Sequence, residues 1–332
     1  MRRTAKKPRL VLIAAGGTIS MLKDNSGRSV PTWTAADLLA QTSLRHQLRV
    51  RAVDFVSPDT ASADSLLALA RRIRTAATPA VDGIVVTHGT DAMEEAAYAV
   101  DELVAAPVPI VFTGAMRPGW ASGYDGIRNL DNALRVASLI PAAYGTLVTL
   151  NDQIFEAWSV SKADTGALDA FTARRGAPFG QLIGDQVECP WQPLARPRLG
   201  RIPRTVPASV PILSMAPAED TALLDSLTAG QVQGLVIAGM ATGTIPPRAC
   251  EKVLGLATRG LPVVLCSGAA SGWTAAEYYY PRAYDGLRAA GVVIENHLSA
   301  RKTRLRLMLS LGLGLTYVPF GREFVLGPDS AR

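Results

Sequence analysis

Aromatic residues are scarce in this chain of 332 residues, at 6% of the total. A core short of large rings has to be filled by small aliphatics, which suits strands packed closely under helices. Cysteine is scarcer still. Only Cys189, Cys250 and Cys266 occur, widely separated, so neither a disulfide framework nor a zinc-type spacing is available, and a reducing compartment fits. Histidine occurs three times, as His46, His88 and His297. No Gly-x-Ser-x-Gly elbow accompanies them, which leaves a Ser-His-Asp hydrolase without its signature. His46 and His297 read as surface residues and His88 as a packed one. No His/Cys/carboxylate set has ligand spacing, so no metal and no cofactor are expected. No apolar run reaches the roughly 18 residues of a membrane helix. The run 10–15 is too short for a signal-peptide core and continues into Gly16-Gly17, so the expected location is the cytoplasm.

The net charge is +6, but its sources are dispersed. Arg2, Arg3, Lys6 and Lys7 form a tail. Arg196, Arg198, Arg201 and Arg204 fall in a Pro-rich stretch, and Arg301, Lys302, Arg304 and Arg306 fall late in the chain. These read as a solvated tail, a linker and a helix face. A nucleic-acid partner would want a basic face with stacking aromatics or a known motif, and neither is visible.

What the chain does contain is an alternation of short apolar runs with longer amphipathic patterns. Strands are read at 9–15, 83–87, 108–113, 145–150, 232–239 and 262–267. Helices are read at 34–41, 65–77, 93–105, 125–140, 247–259 and 301–313. Continuously apolar strands are buried on both faces, as in parallel sheets, and strand–helix alternation implies βαβ crossovers. The expected fold is α/β: a larger N-terminal Rossmann-like domain with a mostly parallel sheet (1–190), a Pro-rich linker (191–211) and a smaller C-terminal α/β domain (212–332). At roughly 100–200 residues per domain, two domains fit the length.

Ligands of open α/β sheets sit outside the carboxyl ends of the strands, and two strand ends hold chemistry-bearing residues. The first is Ile13-Ala14-Ala15-Gly16-Gly17-Thr18-Ile19-Ser20. The second is Val86-Thr87-His88-Gly89-Thr90-Asp91, opening a helix at Met93-Glu94-Glu95. Gly-Gly-Thr alone is an ordinary turn, and Asp91-x-x-Glu94 alone reads as a capping box. A phosphate loop is excluded because neither Gly-x-Gly-x-x-Gly nor Gly-x-x-x-x-Gly-Lys-Ser/Thr is present.

Taken together, the two segments resemble the signatures of the bacterial-type L-asparaginase (asparaginase/glutaminase) family. Further segments resemble it in order: Thr113-Gly114-Ala115-Met116-Arg117-Pro118, Asp125-Gly126 with Asn129-Leu130 and Asn132-Ala133, Ser159-Val160-Ser161-Lys162, Ala170-Phe171, Pro178-Phe179-Gly180 and, more loosely, Arg301-Lys302-Thr303-Arg304-Leu305. The resemblance is dense over 9–190 and thinner beyond. It implies hydrolysis of the side-chain amide of L-asparagine through an acyl-enzyme, with Thr18 as nucleophile. Thr90, Lys162 and Asp91 would form a second hydroxyl–amine–carboxylate set, and Ser57, Asp59, Thr90 and Asp91 would bind substrate. A homodimer or homotetramer is also implied. The residue types suit the chemistry. A threonine hydroxyl needs a neighbour to take its proton, a lysine can be that base, and a carboxylate is the natural acceptor for a substrate ammonium.

The chain departs from the family pattern in several places. The segment 21–29, where a lid tyrosine is expected, has no Tyr, and its Asn25-Ser26-Gly27 reads as flexible. Ser57-Pro58-Asp59 stands where the family has Ser-Gln-Asp, with either Pro58 or, in an unshifted alignment, Asp59 at the Gln position. Gly239-Met240-Ala241-Thr242-Gly243-Thr244 lacks the family's Asn, and the acid that a partner subunit would supply has no clear match: Glu277 is a candidate that also reads as a surface helix residue. Broad asparaginase/glutaminase specificity, or an amino-acid-binding regulatory protein with little turnover, therefore stay open beside the asparaginase reading.

Overall fold

A computed structural model describes residues 7–57, 59, 62–193, 196–217, 221–227, 231–274 and 284–321. The chain divides into two units, one ending at Ile202 and one starting at Pro203.

The first unit opens with β1 (Arg9–Ala15), a hairpin of β2 (Met21–Lys23) and β3 (Ser29–Pro31), helix α1 (Ala35–Gln41) and β4 (Arg49–Asp54). There follow α2 (Ala63–Ala76), β5 (Gly83–His88), α3 (Met93–Leu103), β6 (Ile110–Thr113), α4 (Gly126–Leu139) and β7 (Thr146–Leu150). Strands β5, β6 and β7 are buried at every residue, as expected of strands covered on both faces. Helix α2 shows the opposite economy. It buries Leu66, Leu69, Ala70 and Ile73 on one stripe and turns Arg71, Arg72 and Arg74 outward. Capping sets the helix starts: Thr34 and Asp37 form a reciprocal capping box on α1, and Ser62 caps α2.

The unit closes with β8 (Gln153–Glu156), β9 (Val160–Lys162), β10 (Phe171–Ala173), β11 (Gly180–Ile183) and β12 (Gln186–Glu188). The large sheet has the order β12-β11-β8-β7-β6-β5-β1-β4. Its five strands from β4 to β7 are parallel, and β8, β11 and β12 continue it antiparallel. The two-residue turn between β7 and β8 is Asn151-Asp152, both at positive φ, as a tight hairpin turn requires. Strands β9 and β10 form a separate ribbon.

The parallel part has a switch point. From β1 the chain crosses first to β4 on one side, then back to β5 on the other. The loops leaving β1 and β5 lie at this point, and the carboxyl ends of strands at a switch point are where doubly wound sheets bind ligands.

The second unit is a sheet of four parallel strands in sequential order: β13 (Ile212–Ser214), β14 (Leu235–Gly239), β15 (Val263–Ser267) and β16 (Val293–Glu295). Its helices are α5 (Ala222–Ser226), α6 (Pro247–Thr258), α7 (Tyr284–Ala289) and α8 (Ala300–Gly312). The expected α/β class is thus observed in both units. Among the described residues, no helix is long and apolar enough to cross a membrane.

Two charge clusters differ from expectation. Arg196 is buried and, with Arg198, pairs with buried Asp101 of α3, while Gly200 N–H donates to the Glu102 carbonyl. Lys302 and Arg306 are buried on α8, because that helix is covered along most of its surface. Burying a charge is tolerated where partners satisfy it. Arg306 Nε donates to the Val318 carbonyl at 3.0 Å. His297, expected at the surface, is also buried, whereas His46 is exposed and His88 is packed as expected.

Candidate active site

Strand β1 ends at Ala15, in register with His88 at the end of β5. Gly16 and Gly17 then turn the chain at φ +75° and +89°, a region costly for residues with a Cβ. Thr18, Ile19 and Ser20 form one short 3-10 turn, closed by Ser20 N–H and Oγ, which both donate to the Gly17 carbonyl at 3.0 and 2.9 Å. Gly17 serves a second purpose. A Cβ there would lie 2.5 Å from Gly89 N and 2.6 Å from Gly89 Cα. The loop after β1 therefore rests backbone to backbone on the loop after β5, and this contact brings the Thr18 and Thr90 turns together.

Thr90 is buried and Thr18 half-buried. The α3 cap position is held by Ala92, whose side chain makes no capping hydrogen bond. Asp91 is thus not a helix cap. Its Oδ1 instead accepts from Lys162 Nζ at 2.7 Å, and the same ammonium donates to Thr90 Oγ1 at 2.9 Å. Lys162 ends β9, where the ribbon pairs it with Phe171. The Lys162 side chain is 14% exposed and that of Asp91 is 96% exposed. One end of the set is enclosed, and the other offers a carboxylate to solvent and to any ligand.

Neighbouring strand ends hold this set in place. A Cβ at Gly114, after β6, would lie 2.7 Å from the His88 carbonyl and 3.4 Å from Thr90 Cγ2. His88 Nδ1 donates to the Gly89 carbonyl at 2.9 Å, and burial holds the imidazole below its ordinary pKa. The neutral ring therefore fixes the carbonyl of the residue that Gly17 touches. Asp125 accepts from Met116 N–H, Arg117 N–H and Asn129 Nδ2 at 3.0, 2.9 and 2.9 Å, which fixes the loop between β6 and α4.

The segment 21–29 is an ordered hairpin rather than a loose loop. Asp24 accepts from Ser26 N–H, Ser26 Oγ and Arg28 N–H across its turn, and this bonding holds its carboxyl below the usual range. The hairpin is fastened by the loop before α4. Gly119 N–H donates to the Met21 carbonyl, Trp120 Nε1 donates to Ser29 Oγ at 2.9 Å, and the Lys23 ammonium sits 4.2 Å from the Trp120 ring centre. Tyr124 OH donates to the Ile19 carbonyl at 2.6 Å. Sequence reading missed Trp120 and Tyr124. The available signal was two aromatics within five residues in a chain poor in them.

Ser57 and Asp59 lie beyond the carboxyl end of β4, the neighbour of β1 on its other side. Ser57 Oγ donates to the Asp59 carbonyl at 3.3 Å, and that carbonyl also accepts from Ser62 Oγ at 2.9 Å. The structure joins these two residues to the start of α2. Pro58 and Glu277 lie outside the described residues. The Gly239–Thr244 turn belongs to the second unit, where Met240 and Thr244 form an isolated bridge. Among the described residues, no group of three or more His, Cys, Asp or Glu is placed to hold a metal ion.

The family described as "Asparaginase, N-terminal" matches residues 9–195, and "Glutaminase/Asparaginase C-terminal domain" matches residues 209–318. A Deinococcus radiodurans protein named "Probable L-asparaginase" is 34% identical over 97% of this chain and 99% of its own length. A Bacillus licheniformis protein named "L-asparaginase" is 28% identical over 91% of this chain and 95% of its own. A crystal structure described as "Probable Cytoplasmic L-asparaginase from Campylobacter jejuni" superimposes with TM-score 0.81 at 26% identity, covering 92% of this chain and 95% of that one. A doubly wound hydrolase with paired threonine turns at its switch point is thus the class in hand. The chain belongs to the L-asparaginase family.

Proposed function

We propose that this chain hydrolyses the side-chain amide of L-asparagine to L-aspartate and ammonia, with Thr18 as nucleophile. Thr18 Oγ1 bonds to the amide carbon while its proton passes to a neighbouring base. The C–N bond breaks and ammonia leaves with that proton, giving an aspartyl ester on Thr18. Water then attacks the ester carbon, the C–O bond breaks, and Thr18 recovers its proton. Backbone N–H groups of the glycine turns stabilise the tetrahedral oxyanion, an effect commonly worth about 3 kcal/mol. Lys162 and Thr90 form the proton-transfer set, and Asp91 takes the substrate α-ammonium. Ser57 and Asp59 contribute on the β4 side.

The observation that carries this reading is the Thr90–Lys162–Asp91 set, hydrogen-bonded at 2.9 and 2.7 Å on the loop that Gly17 touches. A purely structural lysine has no need of a buried hydroxyl and an exposed carboxylate together. A broader specificity has its own support: a Pseudomonas aeruginosa relative, 31% identical over 79% of this chain, is named "Glutaminase-asparaginase". We assign residues 1–190 to the catalytic domain, 191–211 to a linker and 212–332 to a domain that completes the site in a homodimer or homotetramer, and we place the protein in the cytoplasm.

Ammonia release from L-asparagine and L-glutamine tests the reading directly. Wild-type protein releases ammonia from asparagine, and Thr18→Ala lowers kcat by at least about 10³-fold while calorimetry still detects amino-acid binding. Binding without release by the wild type makes the protein a regulator. Activity surviving Thr18→Ala transfers the nucleophile to Thr90.

A further inference from the structure

The hairpin that follows Thr18 has no tyrosine, yet a tyrosine from elsewhere in the chain reaches the nucleophile turn. We propose that Tyr124 is a positioning residue for Thr18: its phenol holds the Ile19 carbonyl and so fixes the turn that aims the Thr18 hydroxyl. The inference rests on the reading of Thr18 as nucleophile.

Thr18 sits between two fastenings. On one side Ser20 closes the turn onto the Gly17 carbonyl. On the other, Tyr124 OH donates to the carbonyl of Ile19, the next residue, at 2.6 Å. Ile19 itself is fully buried, so its orientation is pinned by packing as well. Without the phenol, the Ile19 carbonyl, in the peptide between Ile19 and Ser20, loses its tie to the loop before α4, and the turn that carries Thr18 is held on one side less.

The place for Tyr124 is built. A Cβ at Gly126, the first residue of α4, would overlap the phenol ring, so the glycine there makes the room that the side chain occupies. The ring of Trp33 lies against the other side at 5.7 Å between centroids, and Trp33 N–H donates to the Ser20 carbonyl. The phenol proton is committed to its carbonyl, and burial beside Asp125 raises the pKa well above that of a free tyrosine. Tyr124 therefore holds and does not titrate in the working range. The next residue, Asp125, anchors the loop through the Met116 and Arg117 amides, so the phenol hangs from a fixed point.

A small misalignment of reacting atoms can lower a rate by about 100-fold, and loss of one positioning bond is expected to take part of that. Tyr124→Phe removes only the hydroxyl. Assayed well below its melting temperature, it should lower kcat for asparagine by about 10-fold with KM changed less than about 2-fold and the pH profile unmoved. Trp120→Phe, a change on the same loop that releases Ser29 of the hairpin but leaves the Ile19 bond, should retain kcat within about 2-fold. Ring-fluorinated tyrosine at 124, which keeps the donor, should restore the wild-type rate. Full kcat in Tyr124→Phe, a loss confined to KM, an equal loss in Trp120→Phe, or no recovery with fluorotyrosine each overturns the proposal. Activity surviving Thr18→Ala instead removes its foundation, so the two failures are distinguishable.

Discussion

Each unit of this protein has a glycine turn at the carboxyl end of a parallel strand, and the two turns are used differently. After β1, a Cβ at Gly17 would strike Gly89, a residue of another strand's loop. After β14, a Cβ at Gly239 would lie 2.5 Å from Gly243, a residue of its own turn. The second turn folds back on itself through the Met240–Thr244 bridge, with Ala241 at φ +44° and Ser267 Oγ donating to the Ala241 carbonyl. The first makes a junction between two loops that each carry a threonine. Similar local chemistry thus yields a compact corner in one unit and a meeting point of two threonine-bearing loops in the other.

One added methyl at each turn separates the two uses. Gly17→Ala imposes a positive φ on a residue with a Cβ and drives that Cβ into the Gly89 backbone. Strain and overlap each cost about 1–3 kcal/mol, so asparagine hydrolysis should fall by at least about 100-fold. Gly239 is not at positive φ, so Gly239→Ala should cost only the overlap, about 1–3 kcal/mol in urea unfolding. Equal losses of stability in the two variants would break the contrast.

The units also differ in how they hold a buried carboxylate. Asp101 is neutralised by Arg196 and Arg198. Glu295 accepts from Tyr317 OH and from the amides of His297, Leu298 and Phe320, and burial holds its carboxyl above the ordinary range. Asp101→Asn removes the buried carboxylate charge that Arg196 and Arg198 share and should cost about 3–5 kcal/mol. Glu295→Gln keeps an acceptor oxygen and should cost about 1–3 kcal/mol. Urea titrations of both variants rank them, and the reverse order would show that dipoles outweigh ion pairs here.

The smallest expected effect concerns His88. Burial depresses its folded pKa, so below about pH 6.5 the unfolded chain takes up a proton that the folded chain refuses. This contribution is complete above the unfolded pKa and is lost as pH falls through the folded one, at up to about 1.4 kcal/mol per pH unit. In His88→Gln that part of the acid dependence should vanish; an unchanged slope between pH 6.5 and 5 would falsify the assignment.

How much of this was legible beforehand depends on range and on run length. Strands β1, β5 and β6 announce themselves as continuous apolar runs. Strand β4, Arg49-Val50-Arg51-Ala52-Val53-Asp54, does not, because it lies at the sheet edge and alternates exposed with half-buried residues. Strands β9 to β12 are three or four residues long and leave no period to detect. In the candidate site, Thr90, Asp91 and Lys162 were legible through the family resemblance, and only the structure separates the capping role of Asp91 from its bond to Lys162. Tyr124 was not legible, since it meets a carbonyl 105 positions earlier. The burial of Arg196, in the stretch read as a linker, was illegible for a related reason: its partner Asp101 is 95 positions away.

The contact of Gly17 with Gly89 also bears on how such a chain can diverge. Where two side chains touch, enlargement of one can be met by reduction of the other, and a lineage can drift through paired changes. Here main chain lies on main chain, and residue 89 has no side chain left to give up. Position 17 is thus closed to gradual exchange, and novelty in this site has to enter through the residues around it.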